Sequence, residues 1–388
     1  MTYTIEKVTT LIGARRYGDN DTNIGFILTD SRSLCFPEET LFFALKSERN
    51  DGHNYIPELY RRGVKNFVVT DVPKGYASDY PEANFLKVVN TLEALQRLAE
   101  RHRDEFNIPI VGITGSNGKT MVKEWLYQLL SPSMFVTRSP RSYNSQIGVP
   151  LSVWLMNEQT QVGVFEAGIS QPGEMLALRD IIQPTIAVLT NVGSAHQENF
   201  SSLEEKCREK LILFHDAETV VYDGDDEVIT KVVAEYPDYK GEKLFWSLQN
   251  PEAPFYVRKI EKQQSVSVIT YIYKGVEDSF SIPFIDDASI QNSIICAAVA
   301  SKIGLSAEDI DKRMALLEPV AMRLEVKVGQ HGCTLINDSY NSDINSLDIA
   351  LDFMNRRPDH RGRRHTLILS DIYQSGQTPE ALYKEVSD

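Results

Sequence analysis

Residues 111–120 read VGITGSNGKT and join an apolar run, Ile108–Ile113, to a helical pattern. The apolar positions of that pattern recur at helical spacing, at Val122, Trp125, Leu126 and Leu129. A strand, a glycine-rich turn and a helix N-terminus form an anion cradle, because backbone N–H groups and the helix dipole favour negative charge there. Lys119 would reach the outer phosphates of a nucleotide, and the Thr120 hydroxyl would hold magnesium. Ile113 stands where the strict motif has glycine, so a helix-capping turn is the alternative, but the flanking strand and helix favour phosphate binding.

The composition predicts a soluble, cytoplasmic protein of two or three domains. A chain of 388 residues exceeds one ordinary core, and its 42% hydrophobic and 24% charged fractions are usual for globular proteins. No apolar run approaches the roughly 18 residues that span a bilayer, and the N-terminus lacks the features of a secretion signal. The net charge of −14 argues against a nucleic-acid partner. The four cysteines lack metal-like spacing, which indicates reduced thiols.

Three segments differ in their predicted elements, and we expect three domains from them. Residues 1–107 predict a small α/β unit with short strands at 41–45 and 66–70. Residues 108–317 alternate strands and helices, which implies a mostly parallel sheet covered by helices, with a meander at 254–285.

Residues 318–388 form the third segment. They predict strands at 322–328, 333–337 and 366–370, a helix at 344–355 and a last helix from Thr378-Pro379. About 70 residues is short for a domain. We therefore expect a truncated domain that belongs to a longer polypeptide.

Glu166 lies in Val164–Ser170, at the carboxyl end of a second predicted strand. Parallel sheets place their ligand chemistry at that edge, and a carboxylate there can coordinate the magnesium of a nucleotide. From this segment alone, a helix-capping or salt-bridged glutamate is also open.

His196 and Lys210 follow a third predicted strand, which ends near Thr190. His196 could be a metal ligand, a base or a hydrogen-bonded loop residue. Lys206 and Lys210 lie on a predicted helix at 203–215, where most lysines are solvated, and spacing alone does not single out Lys210.

Further motifs bring these segments together in a resemblance. They are Thr29–Arg32 (TDSR), Leu41–Lys46 (LFFALK), Asp51–His53 (DGH), Val122–Glu124 (VKE) and Tyr143–Leu151 (YNSQIGVPL). With the loop at 113–120, they resemble the Mur ligase family over essentially the whole chain. Within that family the resemblance is to members that add D-alanyl-D-alanine to a UDP-N-acetylmuramoyl-tripeptide. It also accounts for Ile113, because the family uses a shortened form of the phosphate loop.

The resemblance implies an architecture and a reaction. The expected fold is α/β with three domains: a UDP-substrate domain at 1–107, a central P-loop ATPase domain with a parallel sheet at 108–317, and a truncated Rossmann-like C-terminal domain at 318–388. The expected reaction is ATP-dependent amide synthesis through an acyl phosphate, with ATP and magnesium as cofactors. Some family members are fused to an alanine racemase, so a covalent fusion beyond Asp388 is a further expectation.

The resemblance also implies roles for single residues. ATP would be bound by Gly115, Ser116, Asn117, Gly118, Lys119, Thr120, Asn292, Arg323 and Asp338. Magnesium would be held by Thr120, Glu166, His196 and a carbamoylated Lys210, and the catalytic residues would be Lys119, Glu166, His196 and Lys210. The UDP part of the substrate would be bound by Ser31, Arg32, Lys46, Asp51 and His53, with Asn144 contacting another part of it.

Two alternatives stay open at this point. The chain could be a sibling ligase that adds another amino acid to a UDP-muramyl precursor, or glutamate to folate. It could also be a nucleotide-binding module without turnover, because its third domain is incomplete.

Overall fold

The computed structural model describes residues 1–48, 50–193, 199–236, 239–321, 325–330, 333–339, 347–348, 350–351, 353–354, 364–372 and 378–387. Its architecture is α/β, as predicted from the sequence. By packing, the chain divides into two compact units. None of the helices in these ranges is long and apolar enough to cross a membrane.

The strands follow one another along the chain in this order. They are β1 (Tyr3–Thr4), β2 (Arg15–Tyr17), β3 (Asn23–Ile24), β4 (Phe26–Leu28), β5 (Thr40–Phe43), β6 (Asn66–Val69), β7 (Asn84–Lys87), β8 (Ile110–Thr114), β9 (Val136–Arg138), β10 (Val162–Glu166), β11 (Ile186–Leu189), β12 (Thr219–Asp223), β13 (Glu242–Ser247), β14 (Phe255–Lys262), β15 (Ser267–Tyr273), β16 (Val276–Ile282), β17 (Glu325–Val328) and β18 (Thr334–Asn337).

The α-helices are interspersed among them. They are α1 (Ile5–Ile12), α2 (Ile56–Arg61), α3 (Tyr76–Asp79), α4 (Thr91–Arg103), α5 (Lys119–Leu130), α6 (Gly148–Val153), α7 (Glu174–Ile182), α8 (Leu203–Leu211), α9 (Glu227–Ala234), α10 (Asp287–Ile303), α11 (Ala307–Met314) and α12 (Pro379–Ser387).

The first unit comprises Met1–Asn107, Tyr143–Thr160 and Asp180–Ile182. Its five-stranded sheet has the order β2-β7-β6-β5-β4, parallel from β4 to β7 and antiparallel between β2 and β7. Successive side chains of a strand point to opposite faces. Alternate residues of β5 therefore enter two apolar clusters, one shared with α1 and α4 and the other with α2. Because both faces are covered, all four residues of β5 are buried.

The second unit carries a nine-stranded sheet of order β16-β15-β14-β13-β12-β11-β8-β10-β9. The strands from β9 to β14 are parallel, and the predicted meander forms the antiparallel end of the same sheet, β14 to β16. The register pairs Ile113 of β8 with Glu166 of β10, and Thr114 of β8 with Leu189 of β11. The carboxyl ends of three neighbouring strands therefore lie side by side.

Helix α5 shows why the sequence pattern was informative. Val122, Trp125, Leu126 and Leu129 are all fully buried, and they belong to one apolar cluster with residues of α10 and the sheet. Their spacing places them on one helical face, which is the face that packs against the sheet.

The C-terminal predictions had mixed outcomes. Strands β17 and β18 overlap the predicted strands, and α12 begins after Thr378 as predicted. The strand predicted at 366–370 is wrong, because residues 364–372 have no regular structure and Ile368 is exposed. The propensity of TLILS for a strand is not enough, since a strand also needs a neighbour for its hydrogen bonds. Most of the helix predicted at 344–355 lies outside the described residues, and the division into three domains stays a prediction.

Candidate functional site

The glycine-rich loop lies between β8, which ends at Thr114, and α5, which begins at Lys119. Gly115 and Gly118 have φ angles of 145° and 82°, a backbone conformation that residues other than glycine rarely adopt. Space is also short, because a Cβ on Gly115 would lie 1.9 Å from Thr190 Oγ1, and one on Gly118 would lie 2.5 Å from Asn292 Oδ1. Asn292, on α10, therefore lies against the loop.

Lys119 is held close to the loop that precedes it. Its Nζ donates to the carbonyl oxygens of Gly115 at 2.7 Å and Ser116 at 2.9 Å. An ammonium group at the start of a helix adds positive charge where the helix dipole and the first N–H groups already favour an anion. The arrangement can therefore bind a phosphate group.

Glu166 and Thr120 meet at the carboxyl edge of the sheet. The Thr120 hydroxyl donates to Glu166 Oε2 at 3.1 Å, and it lies 3.2 Å from the hydroxyl of Ser142. The carboxylate is fully buried, and its own backbone N–H donates to Ser139 Oγ. A carboxylate and a hydroxyl oxygen are hard ligands of the kind that Mg²⁺ prefers.

Lys123 is a buried side chain beside Glu166 that the sequence reasoning missed. It is fully buried, and its Nζ lies 3.1 Å from Glu166 Oε1 and 2.9 Å from Glu124 Oε1. It also donates to the Arg141 carbonyl oxygen. Helical spacing could have found it, because Lys123 follows Thr120 by three residues and so lies on the same side of α5.

Helix α8 brings two lysines into the interior of the second unit. Lys206 and Lys210 are both buried, so the expectation that lysines on this helix are solvated is wrong for these two. Lys210 Nζ donates to the Gly115 carbonyl oxygen at 3.2 Å, and Lys206 Nζ donates to that of Gly193 at 2.6 Å. The helix presents this face because Lys206 and Lys210 are four residues apart, with buried Cys207 and Leu211 beside them.

The surroundings of Lys210 change its ionisation. Burial lowers the pKa of its amine well below the usual range, and the ammonium groups of Lys119 and Lys206 lower that pKa further. A low pKa leaves more of the amine neutral and therefore nucleophilic.

The loop after Glu166 is tied to the same helix. Glu209 Oε1 accepts hydrogen bonds from the backbone N–H groups of Gly173 at 2.9 Å and Met175 at 3.1 Å, at the start of α7. The Asn199 amide donates to the Ser170 carbonyl oxygen at 2.9 Å. The residue beside Lys210 thus helps to fix the loop that follows the buried carboxylate.

Two other predicted residues, His196 and Arg323, lie outside the described residues. Asp338 directly follows β18, in a two-stranded sheet separate from the nine-stranded one. Among the described residues there is no group of three His, Cys, Asp or Glu side chains that could hold a metal ion. Thr120 and Glu166 are therefore the predicted magnesium ligands that the structure brings together.

In the first unit, Lys46, Asp51 and His53 meet after the carboxyl end of β5. Lys46 Nζ lies 3.7 Å from Asp51 Oδ2, and the His53 ring Nδ1 lies 2.6 Å from Asp51 Oδ1. The backbone N–H of Thr70 donates to His53 Nε2 at 3.1 Å, which makes Nε2 the acceptor and places the ring proton on Nδ1. Both ring nitrogens of His53 are therefore engaged inside this unit. Backbone and side-chain hydrogen bonds from His53 also lower the pKa of the Asp51 carboxyl.

Ser31 and Arg32 follow β4 in a short 3-10 helix, Ser31–Ser33. The Arg32 guanidinium binds the Asp30 carboxylate, with Nη2 to Oδ2 at 2.6 Å, and these bonds lower the pKa of Asp30 to about 2. The Ser31 carbonyl oxygen accepts from Arg62 at 2.8 Å. Asn144 belongs to the segment Tyr143–Thr160, which packs within the first unit.

Known proteins resemble this chain over nearly all of its length. The sequence profile of the Mur ligase middle domain matches residues 113–300, and that of the Mur ligase family catalytic domain matches residues 23–103. The UDP-N-acetylmuramoyl-tripeptide–D-alanyl-D-alanine ligase of Bacillus subtilis is 29% identical over 371 residues, which cover 94% of this chain and 77% of the relative. Its counterpart in Synechocystis is 28% identical, over 94% of this chain and 76% of the relative.

Solved structures show the same fold. A crystal structure of MurF from Acinetobacter baumannii superposes with a TM-score of 0.87 at 23% identity, covering 99% of this chain and 82% of that one. MurF ligase from Thermotoga maritima in complex with ADP gives a TM-score of 0.73 at 24% identity, covering 85% of this chain and 74% of that one.

Proposed function

The chain belongs to the Mur ligase family, and from that premise we propose that it joins D-alanyl-D-alanine to a UDP-N-acetylmuramoyl-tripeptide at the expense of ATP. The product is a peptidoglycan precursor. The observation that carries the proposal is the contact between buried Glu166 and half-buried Thr120 beside the Lys119 loop. Relatives of that name align over most of the length of this chain. A relative with the same fold binds ADP, which supports ATP as the nucleotide.

The reaction has two steps, and neither needs a protein nucleophile. A carboxylate oxygen of the tripeptide attacks the γ-phosphorus of ATP, so that an acyl phosphate forms and ADP leaves. The amine nitrogen of D-alanyl-D-alanine then attacks the acyl carbon, loses a proton and expels inorganic phosphate as the amide forms. Lys119 and the N-terminus of α5 hold the phosphates and offset the negative charge that gathers between two anionic reactants.

Magnesium would be held by Glu166 and Thr120, with His196 as a further ligand. Bound there, the ion would offset charge on the nucleotide phosphates. The fit rests on two oxygen atoms that could ligate the ion, Thr120 Oγ1 and Glu166 Oε2, which lie 3.1 Å from each other. It rests also on the burial of the Glu166 carboxylate. Within this group, Lys123 fixes Glu166 through Oε1, so that Oε2 faces the Thr120 hydroxyl.

Lys210 would be carbamoylated. Its neutral amine would form a C–N bond with carbon dioxide and release one proton, which turns a cation into an anion. The lowered pKa of Lys210 supports this step, because the neutral amine is the reacting form. Carbon-13 NMR of native protein kept in carbon-13-labelled bicarbonate should show a carbamate carbon that Lys210→Ala lacks. An unmodified Lys210 in active, substrate-loaded enzyme would count against this role.

The UDP part of the substrate would meet the loops after β4 and β5. The side chains of Arg32 and Lys46 are exposed, which suits them to a diphosphate. His53 and Asp51 would shape the loop rather than bind through the His53 ring, because both ring nitrogens are already engaged. Ser31 and Asn144 stay proposed contacts, as do Arg323 and Asp338 on the nucleotide.

Phosphate release separates this proposal from its alternatives. We expect release from ATP with the tripeptide substrate and D-alanyl-D-alanine, and little with single amino acids. Release with a single amino acid, or with glutamate and folate, would instead indicate a sibling ligase. Binding of ADP by calorimetry without phosphate release in any substrate mixture would indicate a nucleotide-binding module. A fused alanine racemase stays a prediction of the resemblance, and sequencing the gene past Asp388 tests it.

A further inference from the structure

Asn191 follows β11 and contacts the glycine-rich loop through both its backbone and its side chain. The N–H of Ser116 donates to the Asn191 carbonyl oxygen at 3.0 Å, and the N–H of Asn117 donates to Asn191 Oδ1 at 2.9 Å. In return, Asn191 Nδ2 donates to the Asn117 carbonyl oxygen at 3.3 Å. The amide of one side chain thus satisfies both backbone polar groups of Asn117.

Thr190 and Gly193, on either side of Asn191, are themselves held by hydrogen bonds. The Thr190 hydroxyl donates to the carbonyl oxygens of Thr114 and Asn117, and the N–H of Gly193 donates to Ser116 Oγ at 2.8 Å. Buried Lys206 holds the Gly193 carbonyl oxygen from the other side. Asn191 therefore extends from a segment that is anchored on both sides of it.

These bonds decide which N–H groups of the loop face a ligand. The N–H groups of Ser116 and Asn117 point to Asn191 rather than into the cradle that the sequence pattern predicts for them. The carbonyl oxygens of Gly115 and Ser116 accept from lysines. The N–H groups of the first helical turn, at the N-terminus of α5, have no acceptor within the helix and can be presented to an anion.

We propose that Asn191 is a positioning residue for the phosphate loop, which it holds so that the N-terminus of α5 faces the phosphates of the nucleotide. The inference rests on the proposed function in one respect, since it takes a nucleotide as the ligand of this loop. Without the amide, the Asn117 N–H loses its acceptor and the Asn117 carbonyl oxygen keeps only the Thr190 hydroxyl, so the loop must be ordered when the ligand binds. Ordering a loop at that moment weakens binding.

Calorimetric titration with Mg-ADP tests this on the full chain. We expect Asn191→Ala to weaken ADP binding about tenfold, which corresponds to about 1.4 kcal/mol. Asn191→Asp is nearly isosteric and keeps the acceptor for the Asn117 N–H, but it loses the donor and adds a negative charge. We expect it to weaken ADP at least as much, even if the alanine variant folds poorly.

Asn250→Ala is the matched control. Its side-chain oxygen also accepts a backbone N–H, that of Glu252 at 3.0 Å, in a turn after β13. We expect it to leave ADP affinity unchanged. In turnover, KM for ATP should rise in Asn191→Ala, while kcat at saturating ATP and KM for the dipeptide stay near the wild-type values.

Several outcomes would overturn the positioning role. They are wild-type ADP affinity in both Asn191 variants, an equal loss of affinity in the Asn250 variant, or no ADP binding by the wild type. A wild type that binds ADP but releases no phosphate with any substrate mixture overturns the proposed function instead. In that case the comparison of ADP affinities still decides the role of Asn191.

Discussion

Lys123 and Glu166 form a buried ion pair, and we expect replacement of the lysine to lower the free energy of unfolding more than replacement of the glutamate. Both side chains are 0% exposed, and Lys123 Nζ lies 3.1 Å from Glu166 Oε1. Lys123→Met leaves the carboxylate buried without its cation, which typically costs about 3–5 kcal/mol in the free energy of unfolding. Glu166→Gln costs less, about 1–3 kcal/mol, because Lys123 keeps Glu124 and the Arg141 carbonyl oxygen as partners.

The double variant adds a second expectation. With Met at 123 and Gln at 166, no buried charge is left unpaired at this pair, so it should be more stable than Lys123→Met alone. Such a recovery is a coupling between the two positions, of about 1–3 kcal/mol for residues in direct contact.

Urea unfolding followed by tryptophan fluorescence measures these differences. Trp125 and Trp246 are buried in the second unit and Trp154 in the first, so the emission reports the unfolding of both units. Lys312 and Glu308 provide the control, because they form an ion pair one helical turn apart with side chains 67% and 77% exposed. Lys312→Met should cost no more than about 0.5 kcal/mol.

The electrostatic argument fails if Lys123→Met costs less than about 1 kcal/mol, or if the double variant is no more stable than that single variant. An equal loss in the exposed control would also contradict it, since the penalty is assigned to burial.

Three further predictions concern the loop and the first unit. Lys119→Ala should abolish phosphate release while far-ultraviolet circular dichroism stays that of the wild type; a variant that keeps most of its activity would refute the phosphate-loop assignment. Gly118→Ala should lower the free energy of unfolding by roughly 1 kcal/mol or more, and it should also weaken ADP binding. The reason is that φ at this position is 82° and the new methyl group would meet Asn292. Unchanged melting and titration curves would contradict this steric reasoning. Burial lowers the pKa of His102 to about 4, so the unfolded chain binds a proton between about pH 6.5 and 4 that the native ring does not, and stability should fall by roughly 2–3 kcal/mol as pH falls through that window. His102→Gln should flatten this slope in urea titrations at several pH values, and an unchanged slope would rule out His102 as its source.

The sequence by itself determined the elements whose burial is periodic or whose chemistry is local. Val122, Trp125, Leu126 and Leu129 gave α5 and its buried face, because a helix turns its side chains at a fixed angle. Gly115 and Gly118 indicated a glycine-rich turn between strand and helix, and both have positive φ angles in the structure. Glu166 was placed at the carboxyl end of a strand, and the register of β8 and β10 sets it beside the loop.

Only the tertiary structure decided which polar groups meet. Spacing alone does not distinguish Lys123 and Lys206 from solvated lysines, yet packing buries them against the Glu166 carboxylate and the Gly193 carbonyl oxygen. Asn191 lies 74 residues from Asn117, and nothing local to either residue predicts their hydrogen bonds. The strand expected at 366–370 failed for a related reason, since its pairing depends on a neighbouring strand rather than on its own residues. Local chemistry can thus be inferred from spacing, whereas the partners of a buried charge depend on which strands and helices become neighbours.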